Sequence, residues 1–496
     1  MTAAIRPGQP AARPRGTAVR RVAVLTTAVT AVLAAGCTTL DADTAFAPVA
    51  ASARERLDQT VVWNRSDDDE RRITARVAEL LRAPLDADAA VQVALLNSRS
   101  LQATFHGLGI AAAELIQTGR LPNPGFSFGR LRRGDEREIE RTFTFDLARL
   151  LALPLLGHVE AGRFEQQRLE ATQAMLALAA GARVAWIDAV AAEEAVGYAR
   201  RVVDAAAASA ELASRMAGVG NLNRLQRARE LAFEADAALG LARAEQAQRA
   251  ARERLTRVLG LWGEQTAFRL PARLPELPAA ADDLPDLERT ALASRLDVQA
   301  ARAAVDRTAH NLGLARATRF VNVLEVGAVR DSSNREPTRR GWEVAFELPL
   351  FDWGTSRVAQ AESIYRQAFE QAAATAIAAR SEVREAYGTY RAAYDIARYQ
   401  RDTVVPLRAR IAEENLLRYN GMLVGVFELL ADARGHTTAV AGYLEALRNF
   451  WRARADLDRA MTGRPLLADA GAGTTETTGN GTTLAAGASI AAGGHP

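Results

Sequence analysis

The side chains that could do chemistry are few and scattered. His106, His158, His310, His436 and His495 show no spacing that would let them share a metal, and none pairs with a cysteine cluster, because Cys37 is the only cysteine. A single thiol also excludes an intrachain disulfide framework. No nucleophile elbow or phosphate-binding loop occurs, and Gly107-Leu108-Gly109 lies inside a helical pattern with no strand before it. The acid pairs Glu193-Glu194 and Glu413-Glu414 fall on long helical runs and read as solvated faces. Val440, Tyr443, Leu447, Phe450 and Trp451 recur at spacings of three and four, the signature of helix packing. These patterns imply no enzyme, no cofactor and no metal centre. The chain has no lysine, so its 62 basic residues are arginines against 59 acids. Five of those arginines precede Cys37 and no acid does, which leaves the rest close to neutral and implies no nucleic-acid partner.

Chemistry that acts on the chain itself is clearer. Residues 1–36 join a basic start to an apolar stretch (22–36) too short to span a bilayer and ending in small residues, a secretory signal. Leu33-Ala34-Ala35-Gly36-Cys37 resembles the lipobox of bacterial lipoproteins, with Ala34 where a larger aliphatic residue is usual. The resemblance implies acylation of Cys37 as the new N-terminus, and Thr38 after it fits outer-membrane sorting.

The elements that follow are mostly helical. Residues 37–85 mark no clear domain. A helical run from 86, with Asp86 and Asp88 as caps, extends to about Arg120 and stops at Pro122 and Pro124. Two alternating stretches, Phe126-Ser127-Phe128 and 142–147, flank a charged turn at Gly134-Asp135-Glu136-Arg137. Gly157 to Ala217 is proline-free and alanine-rich, enough for one helix of about 90 Å. Gly218 and Gly220 suit a sharp reversal, a second helix runs from about Asn223 to Leu261, and prolines 271, 275, 278 and 285 mark a linker over 271–285. The programme then restarts. Ala94-Leu95 matches Ala291-Leu292 and Leu153-Pro154-Leu155 matches Leu348-Pro349-Leu350. Further on, Arg215 with Gly218 matches Arg418 with Gly421, and Ala228-Arg229 matches Ala433-Arg434. The shared order predicts an internal duplication, 86–270 and 286–463, followed by a Gly/Ala/Thr tail over 464–496 that reads as disordered.

Each half carries one strand pair. Over 341–350, Trp342, Val344, Phe346, Leu348 and Leu350 alternate with Glu343, Ala345 and Glu347, and over 142–147 Phe143, Phe145 and Leu147 alternate with Thr142, Thr144 and Asp146. Strands of about ten residues suit a tilted crossing of a bilayer, with carboxylates toward a wet lumen and apolar side chains on lipid. Four strands cannot close a lipid-facing barrel, so copies of the chain must pool them.

Together these features resemble the TolC family of outer-membrane efflux channels, lipoprotein type. The most specific pieces are Val344 through Gly354, with the strand-to-helix motif Pro349, Phe351, Asp352, Trp353 and Gly354, and Tyr419-Asn420-Gly421 through Leu429-Leu430-Ala431-Asp432-Ala433-Arg434. Leu121-Pro122-Asn123-Pro124 looks familial too, whereas the first half departs at Leu156-Gly157-His158. The resemblance implies a mainly α fold with a small β part: long periplasmic helical hairpins plus four barrel strands per chain, and a homotrimer with a twelve-stranded transmembrane barrel. It further implies a passive exit channel of a tripartite pump, working with a periplasmic adaptor and an inner-membrane transporter to export drugs, metal ions or other toxic solutes. The chain would be lipid-anchored in, and would span, the outer membrane. Asp432 and Glu428, four residues apart, would form acidic rings at the periplasmic aperture, with Arg418 and Arg434 flanking it. Gly218, Gly220, Gly421 and Gly425 would shape the tips that meet the adaptor. The competing reading is a lipid-anchored periplasmic helical adaptor without a pore.

Overall fold

Alanine and other strong helix formers dominate residues 147–218, and the outcome is one helix of 72 residues. At 1.5 Å per residue it is about 110 Å long. The computed structural model describes residues 42–320, 323–347 and 351–463. The signal over 1–36, Cys37, Pro349 and the tail over 464–496 lie outside the described residues.

The first half begins with α1 (Ala42–Leu57) and α2 (Asp67–Leu80), then α3 (Ala87–Asn97) and α4 (Arg99–Gly119). Strands β1 (Gly125–Arg133) and β2 (Glu136–Asp146) lead into the long helix, α5 (Leu147–Gly218), which returns as α6 (Arg224–Leu259). The second half runs α7 (Leu287–Ser294), α8 (Leu296–Ala317), β3 (Leu324–Ser333), β4 (Arg339–Phe346), α9 (Thr355–Tyr399), α10 (Val405–Asn420) and α11 (Val426–Thr462).

Several boundaries differ from the sequence expectation, each for a local reason. The region over 37–85 is not featureless. Phe46 of α1 packs edge-on against Phe105 at 4.9 Å, and two buried glutamines bind the extended chain between α1 and α2. Gln92 exchanges hydrogen bonds with the backbone of Thr60, while Gln102 accepts from Asn64 N at 2.9 Å and donates to Val62 O at 2.8 Å. The predicted single helix from 86 breaks at Ser98, whose hydroxyl caps Leu101 N. Its counterpart breaks at Arg295, 197 positions later, the offset by which Ala94 matches Ala291. Helix α5 begins at Leu147 rather than Gly157 and keeps Pro154 inside, near its first turns, where His158 Nδ1 lies 2.6 Å from Pro154 O. Before Pro406, five residues (Gln400–Val404) widen into a π turn, which absorbs the proline's missing N–H and lets the run continue as α10.

The core sits midway along α5, where α3, α6, α9 and α11 converge. Met175, Trp186, Leu255, Tyr390 and Phe450 are buried there, and the Trp186 indole donates to Leu85 O at 2.6 Å. The proline-rich linker wraps this waist, held by side chains rather than by its own ladder. Tyr394 Oη donates to Ala279 O at 2.8 Å, the Trp451 indole to Pro275 O at 3.0 Å and Arg401 to Leu277 O at 3.1 Å. Arg295 is 1% exposed. It forks onto Asp297 (3.0 and 2.6 Å), reaches Glu382 of α9 at 2.6 Å and donates to Ala460 O of α11 at 3.1 Å. Those two carboxylates hold its pKa above the usual arginine value, although burial opposes the charge.

The four strands form one antiparallel sheet in the order β1-β2-β3-β4, with unbroken register from Phe126↔Phe143 through Phe143↔Ala328 to Ala328↔Trp342. Strands β1, β2 and β4 reach further at their outer ends than predicted, and Glu136 and Arg137 belong to β2 rather than to the turn. Only Gly134 (φ 61°) and Asp135 separate β1 from β2.

Arg295→Met should cost the fold about 3 kcal/mol, the lower end for a broken buried pair, because Asp297 and Glu382 keep some water contact. The check is a lowered thermal transition of the detergent-solubilised protein. An unchanged transition would mean the network contributes nothing.

Candidate functional site

The candidate functional surfaces lie at the two ends of the long helices, the sheet at one and the hairpin tips at the other. Directly paired residues share a sheet face, and the unbroken register therefore sorts every side chain. One face carries Phe126, Phe128, Phe143, Phe145, Leu324, Val326, Ala328, Trp342, Val344 and Phe346. Trp342 is 79% exposed and β4 is exposed along its whole length. The other face carries seven acids (Glu136, Glu138, Glu140, Asp146, Glu325, Asp331 and Glu343) and two arginines, Arg133 and Arg339. The alternation expected for 142–147 and 341–350 is present within the described strands. Leu147 instead opens α5, while Leu348 and Leu350 lie outside the described residues.

Below the sheet, the strand-to-helix motif is a turn built on a close approach. Asp352 Oδ1 accepts from Gly354 N at 2.8 Å, and Gly354 takes φ 68° as the residue before α9. A Cβ at Gly354 would lie 2.7 Å from Arg319 O, so only glycine fits between the turn and the end of α8. Phe351 is 99% exposed, and Trp353 is exposed too. Nearby, the rings of His158 and His310 stack at 5.8 Å, a contact between halves that no spacing in the sequence announces. Among the described residues no group of three or more metal-ligating side chains occurs.

At the far end both hairpins reverse through the same device. Asn221 N donates to Met216 O and Gly220 N to Ala217 O; in the second tip Leu423 N donates to Arg418 O and Met422 N to Tyr419 O. This is the Schellman closure, which needs one residue in the left-handed region. Gly220 supplies it at φ 81° in the first tip. In the second it is Met422 at φ 57°, not a glycine. Gly421 caps α10 at φ −81° and Gly425 precedes α11 at φ −79°, ordinary backbone for any residue, while Gly218 is the last residue of α5. The expectation that all four glycines serve the reversal therefore holds, on backbone grounds, for Gly220 alone.

The charged tip residues do not act as one group within the chain. Asp432 accepts from Asn415 Nδ2, tying α11 to α10, while Glu428 is exposed. Arg418 is exposed and makes no ion pair among the described residues; its carbonyl, not its guanidinium, closes the turn. Arg434 crosses to the first hairpin. It pairs with Glu230, which is 1% exposed and also accepts from Ser209 Oγ at 2.6 Å, and it lies over the Phe233 ring at 4.6 Å. Arg229 lies over the Phe427 ring at 5.8 Å, so each hairpin presents a cation to the other's aromatic ring. Glu230 and Ser209 were not singled out from the sequence, because a glutamate on a polar helix carries no mark of burial.

Residues 287–416 match the family described as outer membrane efflux protein. No curated protein matches the chain. Solved structures with a similar fold include VceC, an outer membrane protein of Vibrio cholerae, at 15% identity and TM-score 0.65, covering 76% of this chain and 96% of that one. The MtrE outer membrane channel of Neisseria gonorrhoeae, in its open state, matches at 20% identity and TM-score 0.64, covering 75% and 88%. CusC, described through transmembrane channel formation, matches at 17% identity and TM-score 0.64, covering 76% and 92%. The chain is thus similar to the outer membrane efflux protein family over 287–416 and, over about three quarters of its length, has the fold of these outer-membrane channels.

Proposed function

We propose that three copies of the chain pool their strands into a twelve-stranded barrel and form the passive exit duct of a tripartite pump, carrying drugs, metal ions or other toxic solutes across the periplasm and outer membrane. One observation carries this reading. Among the described residues the sheet has two unpaired edges and an aromatic face open to the surroundings, which lipid outside and neighbouring copies at the edges would satisfy. A periplasmic adaptor without a pore has no use for such a face. The acid-rich face then lines the lumen and favours cations. The two halves are read as repeats over 86–270 and 286–463.

The far tips are the docking surface for a periplasmic adaptor and its inner-membrane transporter. Val219, Met422 and Leu423 stand 73%, 94% and 78% exposed there, apolar side chains at the most remote turns. Met422 also holds a backbone conformation that costs a non-glycine residue about 1–2 kcal/mol, the kind of strain kept where function demands it. Asp432 is assigned to a three-fold acidic ring at the aperture, with Glu428 beside it and Arg418 at its rim, and Cys37 to the lipid anchor.

Three outcomes are expected. Met422→Asp should weaken binding of the purified trimer to its adaptor about tenfold, the scale of an interface hot spot, in surface plasmon resonance; unaltered binding would remove Met422 from the contact. Asp432→Asn should move the reversal potential of single channels toward zero in a salt gradient, and an unmoved potential would place the carboxylate away from the pore. Cys37→Ala should abolish incorporation of labelled fatty acid, whereas persistent labelling would refute the anchor.

A further inference from the structure

The lipid-side face of the sheet carries more than aromatics. Toward the two hairpin turns, six residues on it are arginines: Arg130 and Arg132 of β1, Arg137 and Arg141 of β2, Arg330 of β3 and Arg340 of β4. No acid shares that face, since every carboxylate of the four strands lies on the opposite one. Among the described residues these six make no ion pair. Arg141 reaches Ser332 Oγ at 3.4 Å, and Arg132 Nε donates to Gly134 O at 3.0 Å. Arg141, Arg330 and Arg340 are direct cross-strand neighbours in one row, strands about 4.8 Å apart. Like charges placed side by side in this way destabilise a sheet. Two residues nearer the helices on the same face is the aromatic row Phe126, Phe143, Ala328 and Trp342. The order along the strands is therefore apolar band, tryptophan level, then unpaired arginine, the order of a bilayer read from its hydrocarbon to its headgroups.

We propose that this row is a lipid-phosphate collar: Arg141, Arg330 and Arg340, with Arg130, Arg132 and Arg137 above them, bind the phosphates of anionic headgroups in the leaflet around the outer end of the barrel. The proposal rests on the barrel reading above. Guanidinium forks match phosphate oxygens in pairs, and the row sits where phosphates lie if the aromatic band sits in hydrocarbon. Anionic lipid supplies the negative charge that the face lacks. Three-fold assembly repeats the row around the barrel.

The test uses full-length protein in phosphatidylcholine vesicles, with brominated phosphatidylglycerol or brominated phosphatidylcholine as quencher of tryptophan emission and Trp342→Phe to identify the share from Trp342. The wild type should prefer the anionic lipid at least about fivefold, the worth of one interfacial arginine. The triple variant Arg141→Gln/Arg330→Gln/Arg340→Gln should fall to parity while quenching by phosphatidylcholine is unchanged, which also shows that the barrel has inserted. Should the triple variant not assemble, Arg340→Gln alone, on the exposed edge strand, should lower the preference measurably. Parity in the wild type, or a preference that survives in the variants, would overturn the collar. A preference erased by inorganic phosphate but not by chloride at equal ionic strength would reveal a site for the free ion and overturn the lipid assignment. If neither brominated lipid quenches Trp342, the barrel reading itself fails and takes the collar with it.

Discussion

The backbone of β1 and β4 governs everything else. Each has one side with no strand partner among the described residues, and in hydrocarbon every such N–H and C=O costs several kcal/mol. A four-stranded sheet with an aromatic outer face is thus unstable alone in either solvent: water meets its apolar side and lipid meets its bare edges. Closure with further copies removes both penalties at once. The helices then inherit their placement. On the side away from the hairpin turns each strand neighbours a helix in the chain (α4, α5, α8 and α9), so a closed ring of strands would impose a ring of helices beneath it. The turn at Asp352–Gly354, pressed against the backbone of Arg319, is one of the joints that transmit this geometry.

Within one chain, buried ions join helices that apolar packing alone would leave free to slide. Arg295 joins the break between α7 and α8 to α9 and to the last turns of α11, and Glu230 joins α5 and α6 to α11 through Ser209 and Arg434. Such pairs add little net stability over apolar residues of equal size, since desolvation offsets most of their attraction. Their geometry is demanding, however. Alanine-rich helices slide past one another with little loss of contact, and a buried charge with one acceptable partner selects a single register. The Arg295 cluster fixes the helices of the second half against one another, and the Glu230 cluster fixes the first hairpin against the second.

Periodicity in the sequence made the large elements legible: the long helices, the two strand pairs, the linker prolines and the restart of the same programme. Features decided by a single side chain in three dimensions stayed hidden. Ser98 and Arg295 both interrupt a helical pattern that is unbroken on paper, one with a hydroxyl cap and the other with a buried guanidinium. Gln92 and Gln102 order the stretch between α1 and α2 through backbone contacts that no local propensity encodes. Prolines disfavour helix interiors, yet Pro154 is accommodated inside the opening turns of α5 and Pro406 is preceded by a π turn. The arginine row was invisible for a different reason. Its members are dispersed from 130 to 340 in sequence, and only the register of three strand pairs aligns them.

The second hairpin tip shows how a misfit can be informative. Both tips close by the same pair of hydrogen bonds, so the demand for one left-handed residue is identical. The first tip meets it with Gly220, which adopts that conformation without a steric penalty. The second uses Met422, which is penalised twice: its Cβ crowds the backbone at φ 57°, and its side chain is almost wholly in water. At 94% exposure its side chain gains little packing among the described residues to offset these costs, and glycine at the same position would remove both. The gain that retains methionine there must come from something that covers it, and Leu423 beside it enlarges the same apolar surface. A flexible thioether on a rigid turn is well suited to packing against a partner's groove. The two tips are thus built alike but not equivalent, and the strained one is the better candidate for a docking surface.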